Sequence, residues 1–288
     1  MSAVYKKELK SYFTNMTGYI AIALILIMTG IIVKILSFDG KYPSMEAALP
    51  TISLILLLAV PIITMKSFAE ERHQKTDLLL YSLPIKTTQI VLGKYFAMMT
   101  VLAIPTVIMM IYPIILSMYG TVSFLATYTS ILAFYLLSAA MVAICMFMSS
   151  LTESQVIAAV LGVAALVACY ASTLLAGALP NTAVASFIAF SALICVIALI
   201  VYCVVKNYWI AFTTAIVLEA GIMLVYINDK TVFSGLFQKF VSKISIFEPL
   251  YSFVSNQLVD MTTIVYYLSI SFLFCFLTVQ TVEKRRWS

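Results

Sequence analysis

Charge is the scarcest resource in this chain. Only 10% of its 288 residues are Asp, Glu, Lys or Arg, and there is one histidine, His73. An ordinary soluble domain carries charge on about a quarter of its residues. A water-soluble fold of this length could not cover its surface with so little. Hydrophobic residues make up 63%, and the mean hydropathy is +1.08. These values exclude a soluble enzyme, a nucleic-acid binder and a disordered protein, and leave a polytopic membrane protein. The net charge of +5 is then a matter of membrane topology.

Other absences narrow the chemistry. The five cysteines, Cys145, Cys169, Cys195, Cys203 and Cys275, all lie in apolar runs and form no CxxC pair. They read as small packing residues, with neither a disulfide nor a metal site. There is no GxxxxGK[ST] loop to cradle nucleotide phosphates, no HExxH and no GxSxG. The chain therefore reads as having no catalytic residues and no cofactor of its own, and ATP-driven work would need another polypeptide. His73 is a lone loop histidine and takes no catalytic role. The N-terminus opens with Lys6, Lys7 and Lys10 before an apolar run. That run is too long for a secretory signal and no small-residue cleavage site follows it, so it reads as a retained span.

A bilayer core about 30 Å thick needs roughly 20 apolar residues in a helix. Eight stretches approach this: 18–36, 49–65, 97–118, 124–148, 155–179, 184–205, 208–227 and 262–282. The expected fold is all-α, a polytopic transmembrane helical bundle of about eight spans. With the N-terminus in the cytoplasm, the inner segments hold twelve basic residues: Lys6, Lys7, Lys10, Lys66, Arg72, Lys75, Lys86, Lys94, Lys206, Lys284, Arg285 and Arg286. The outer segments hold five, Lys34, Lys41, Lys230, Lys239 and Lys243. The excess of positive charge predicts both termini inside. Lys34 reads as an anchor that snorkels to the outer interface.

Two connections are long, and long connections carry function. The inner one runs from Lys66 to Lys94. Ser67 followed by Glu70 fits a capping box, and Glu71 stands four residues before Lys75 in the favourable order for an ion pair. The pattern predicts a helix over 68–80, broken by Pro84, and a second from Thr88 into the third span. Glu70, Glu71, Arg72 and Asp77 offer charge to a partner; Leu78, Leu79 and Leu80 need burial. The segment reads either as a docking element or as a solvated connector.

The run Phe68-Ala69-Glu70-Glu71, with Leu78-Leu79-Leu80, Leu83-Pro84 and Ile90-Val91-Leu92-Gly93-Lys94, resembles the signature loop of ABC-2 type exporter permeases, closest to the gliding-motility-associated and multi-copper-export branch. Lys6-Lys7-Glu8-Leu9 with Tyr12-Phe13 is similar to that family's N-terminal amphipathic helix. Leu277-Thr278-Val279 with Glu283-Lys284-Arg285-Arg286-Trp287 is similar to its ending. The resemblance implies one permease domain over 1–288, in a bacterial plasma membrane. It also implies separate cytoplasmic ABC-type ATPase subunits that carry the ATP and Mg²⁺, and a second permease copy or homologue. Ser67, Phe68, Glu70, Glu71, Arg72, Asp77, Leu78 and Leu79 would form the coupling site. Six spans are usual in that family, so 184–227 would be an added helical hairpin.

Within the membrane, Glu219 is costly unless partnered, by about 3 kcal/mol at a helix centre. It reads as a contact on the translocation pathway or as a carboxyl hydrogen-bonded to a neighbouring helix. The fifth span is rich in small residues, with Ala158, Gly162 and Ala165 as candidates for a subunit interface; packing within one subunit is the other reading. In the external segment 228–261, Phe233, Leu236, Phe237, Phe240 and Val241 follow helical spacing. They predict an amphipathic helix at the outer interface, as a gate or as an anchor to membrane lipid.

The function these features support is the permease subunit of an ATP-driven exporter. An ion-coupled secondary transporter is the alternative, and it would rest on Glu219 alone. A membrane-embedded enzyme would need a polar cluster at one membrane face, and none is visible. The sequence names no substrate; the fifteen methionines read as packing residues rather than as a copper path.

Overall fold

Apolar runs of some twenty residues become helices here because lipid offers no partner for a bare peptide group, and a helix satisfies its own. The computed structural model describes residues 1–39, 44–76, 86–178, 182–205, 208–228, 234–256 and 260–286. Every regular element among them is helical. In order these are α1 (Ser2–Thr14), α2 (Thr17–Val33, continued as a π-helix over Lys34–Phe38), α3 (Leu49–Ser53), α4 (Leu56–Thr64), α5 (Ala69–His73), α6 (Thr87–Met109) and α7 (Tyr112–Leu116). They continue as α8 (Phe124–Leu151), α9 (Gln155–Ala178), α10 (Ala183–Val205), α11 (Tyr208–Asn228), α12 (Leu236–Ile244), α13 (Glu248–Asn256) and α14 (Met261–Arg286).

The protein is a polytopic helical bundle. Among the described residues, six helical stretches are long and apolar enough to cross a membrane: Thr17–Phe38, Leu49–His73, Thr87–Leu116, Phe124–Leu151, Gln155–Leu175 and Met261–Arg286. These are six of the eight expected spans. The other two expected spans form as α10 and α11, of which Ala183–Cys195 counts only as a shorter apolar helix.

The chain divides into two compact units, Met1–Ala168 with Pro249–Ser288, and Cys169–Glu248. In the first, α8 is the central post and packs along α14, α4 and α6. Rows of large apolar residues face outward from the helices around it, such as Ile20, Ile27 and Ile31 on α2 and Phe272 and Phe276 on α14. Such rows suit acyl chains, which are as apolar as the side chains themselves. Asp260 caps the start of α14: its carboxylate accepts from the Thr262 amide at 2.9 Å.

Three expectations about the small residues of α9 meet the structure. Ala158 is buried, and a Cβ on Gly162 would lie 3.4 Å from Cys145 Sγ and 3.5 Å from Pro61 Cβ. The small size of Gly162 is used for close approach to α8 and α4 of the same chain. Ala165 is half-buried.

In the second unit, α10 and α11 lie along each other. The Ser191 hydroxyl donates to Glu219 Oε1 at 2.7 Å, so the carboxylate of α11 holds α10. The amphipathic helix expected over 228–261 is described from Leu236 to Ile244, and Phe233 lies outside the described residues. Gly235, at φ 71°, supplies the left-handed turn before it. Phe237 and Phe240 set their rings against Phe190 of α10, at 5.0 and 5.9 Å between centroids. Part of its apolar face is therefore covered by protein.

Candidate functional site

Several of the segments expected inside the cell meet at one end of the first unit. There α1, the segment 66–76, the start of α6, the turn between α8 and α9, and the end of α14 come together. Arg285 of α14 pairs with Glu153 in that turn. Its hydrogen bond and charge hold the Glu153 carboxyl below the usual range, and Arg72 and His73 pull the same way. At the opposite end, Glu46 is buried and accepts from Ser123 at 2.9 Å and Thr127 at 2.8 Å, at the start of α8.

Helix α1 buries Val4, Glu8 and Tyr12, four residues apart and so on one face. That face lies on α6. Gly93 permits the approach, because a Cβ there would sit 3.1 Å from Val4 Cγ1. Tyr5 and Thr100 share a hydrogen bond at 2.9 Å, and Tyr12 donates to the Ile63 carbonyl of α4 at 3.2 Å. Burial pushes the Tyr12 hydroxyl well above its ordinary pKa, and the nearby charges of Glu8, Glu71 and Glu70 add to the shift. The hydroxyl therefore remains a donor.

The carboxylate that α1 buries meets Lys94 of α6. The Lys94 ammonium donates to Glu8 Oε1 at 3.0 Å and to the Ser67 carbonyl at 2.7 Å, and pairs with Glu71 Oε2 at 2.9 Å. Its three N–H groups are thus all used. It also lies 5.1 Å from the centroid of the Phe68 ring, within cation–π range. Lys7 takes the other oxygen of Glu71 at 3.1 Å. The Lys94 side chain is only 1% exposed, and those of Glu8 and Glu71 are 12% and 16% exposed. Two cations and two anions alternate in the order Lys7, Glu71, Lys94, Glu8, and a polar cavity of about 460 Å³ opens beside them, lined among others by Ser11, Asn15, Lys66 and Gln74.

This arrangement corrects the local expectations for the segment. Ser67 does not form a capping box: its hydroxyl is buried without a partner among the described residues, and no side chain of the segment caps α5. The Phe68 and Ala69 amides instead donate to Ser149 Oγ of α8, both at 3.3 Å. Glu71 pairs with Lys7 and Lys94 rather than with Lys75, whose backbone takes φ 55° where the chain turns out of the helix. Of the helix expected over 68–80, the described residues form Ala69–His73, with a turn over 74–76. Asp77, Leu78, Leu79 and Leu80 lie outside the described residues.

Of the expected coupling residues, Ser67, Phe68 and Arg72 are buried and Glu70 is half-buried. Glu70 accepts from Gln74 at 3.4 Å. Glu8, Lys7, Lys94 and Ser149 are the participants that sequence reasoning missed. A signal was available for two of them. Glu8 sits in the apolar stripe of α1, and Lys94 interrupts the apolar lead into the third span.

Comparison with known protein families adds an independent finding. Residues 5–212 match the family described as ABC-2 family transporter protein. The match includes α1, the segment 66–94 and α10, and ends within α11. No curated protein matches the chain. With most of its length matched and its helices arranged as a membrane bundle, the chain belongs to the ABC-2 family of transporter membrane proteins.

Proposed function

We propose that this ABC transporter permease works as an exporter, with cytoplasmic ATPase subunits seated on the segment 66–94 and a second permease copy or homologue completing the assembly. The observation that carries the reading is the bracing of that segment. A five-residue helix beneath the membrane is held by side chains from α1, α6 and α8. A connector that merely joined two spans would need no such support, whereas an element that receives force would. Glu70 and the sequence that follows it, including Asp77, Leu78 and Leu79, offer the contact surface; ATP and Mg²⁺ belong to the partner. Both termini face the cytoplasm in this reading, as the excess of inner lysine and arginine supports. The likeness to the gliding-motility-associated and multi-copper-export branch rests on the loop alone.

The test separates two neighbouring acids. Glu70→Lys should weaken co-purification of the ATPase or uncouple its hydrolysis, with the thermal stability of the permease retained. Glu71→Lys should instead destabilise the permease itself, because it puts a third cation beside Lys7 and Lys94. Unchanged ATPase association and hydrolysis with Glu70→Lys and with Leu78→Ala/Leu79→Ala would make the segment a connector and remove the reading.

A further inference from the structure

The joint between the second span and α5 is unusual in where its backbone finds partners. The first amides of a helix and the last carbonyls of the one before it have no partner within their own helix. Here α5 has no cap from its own segment. Ser149, fully buried at the end of α8, serves instead. Its oxygen accepts from the Phe68 and Ala69 amides at 3.3 Å, and its proton goes to the Met65 carbonyl at 3.4 Å. A hydroxyl has one proton and two lone pairs, so the capacity of Ser149 is fully used. A second carbonyl of the joint, that of Ser67, is taken by Lys94 of α6. Four backbone groups across residues 65–69 are thus satisfied by side chains of two other long helices.

The mechanical consequence follows from the cost of breaking these bonds where water cannot replace them. Helix α5 cannot rock on a free hinge, because any displacement either leaves buried peptide groups unpaired or carries α8 along. Helix α8 is the post on which α4, α6 and α14 pack.

We propose that Ser149 is the positioning residue of this joint, coupling displacement of α5 to α8. The proposal rests on the reading that an ATPase docks at α5. The test needs no substrate. In a cysteine-free permease complexed with its ATPase, one spin label replaces exposed His73 at the end of α5 and a second replaces exposed Leu132 on α8. Distances are compared between the nucleotide-free and the ATP–vanadate-trapped states. A third label at exposed Ile27 on α2 gives a reference pair with His73.

In the wild-type background the His73–Ile27 distance should change on trapping, while His73–Leu132 should hold. In Ser149→Ala, His73–Leu132 should change too, and Ser149→Thr, which keeps the hydroxyl, should restore the wild-type pattern. If Ser149→Ala fails to insert, Ser149→Val, which matches threonine in shape but carries no hydroxyl, supplies the same arm. A His73–Leu132 distance that holds in Ser149→Ala, or in Ser149→Val where that variant is used, overturns the proposal and leaves the docking reading intact. A complex in which no ATPase associates, or in which trapping changes neither distance, removes the docking reading and the proposal with it.

Discussion

Replacing Lys94 with methionine keeps the length of the side chain and removes its charge. The structure sets the size of the effect. Glu8 and Glu71 would lose a cation bonded at 3.0 and 2.9 Å and would be left mostly out of water, and the Ser67 carbonyl would lose its 2.7 Å donor. Removing one partner of a buried ion pair costs about 3–5 kcal/mol. Lys7 still reaches one oxygen of Glu71, so the loss falls toward the lower end of that range. The same physics says that the intact cluster adds little net stability, because three ions were desolvated to build it. The variant Lys94→Met/Glu8→Gln/Glu71→Gln should therefore recover most of what Lys94→Met loses. Cys145 and Cys275 are buried, so a thiol-reactive fluorophore on the detergent-solubilised protein reports unfolding during a thermal ramp. Lys94→Met should melt clearly below wild type, and the triple variant should melt above Lys94→Met. Equal melting of Lys94→Met and wild type, or a triple variant less stable than the single one, would refute the reasoning.

Gly93→Ala should destabilise by about 1–3 kcal/mol through overpacking against Val4, and Val4→Ala in the same chain should relieve it in the same melt. Glu219→Gln retains an oxygen for the Ser191 hydroxyl and should leave assembly and ATP-coupled activity nearly unchanged; a large loss of activity would show that the charge itself is used. Glu153 is held below the ordinary carboxylate range by Arg285, so that pair contributes stability at neutral pH and loses it as pH falls through the lowered value. Wild type and Glu153→Gln should accordingly converge in melting temperature at acid pH, with a small, salt-screened gap above it. A cysteine at Ser44 should react with an impermeant maleimide from outside the cell and one at Ser2 should not; the reverse pattern would invert the proposed topology.

The spans and the long connection after the second of them were legible in the sequence because each is written in consecutive residues, whereas the N-terminal helix was expected from the family resemblance. Six of the spans are long apolar runs, and the buried face of α1 is a four-residue repeat. The cluster was not legible in the same way. Glu8 and Lys94 are separated by 86 positions, Lys7 and Glu71 by 64, and Phe68 and Ser149 by 81. Local rules proposed nearer partners and lost to distant ones for an energetic reason. A Glu71–Lys75 pair on an exposed helix is worth a few tenths of a kcal/mol. Lys94 has almost no water and needs its carboxylates. The same contest displaced the capping box, since Ser149 brings a hydroxyl that already lies between the two helices it joins.

The separation between Glu8 and Lys94 also sets a schedule for biogenesis. The ribosome delivers α1 before α6, and the partner for its buried acid arrives 86 residues later. At roughly 5–20 residues per second this is a wait of about 4–17 s. During that interval the carboxylate has water to solvate it, and the face of α1 that will lie on α6 has no surface to lie on. Helix α1, although made before α6, can settle in its final place only after α6 has been delivered. Nascent chains stalled before residue 94 should expose it to protease, whereas chains that have released α6 into the bilayer should protect it.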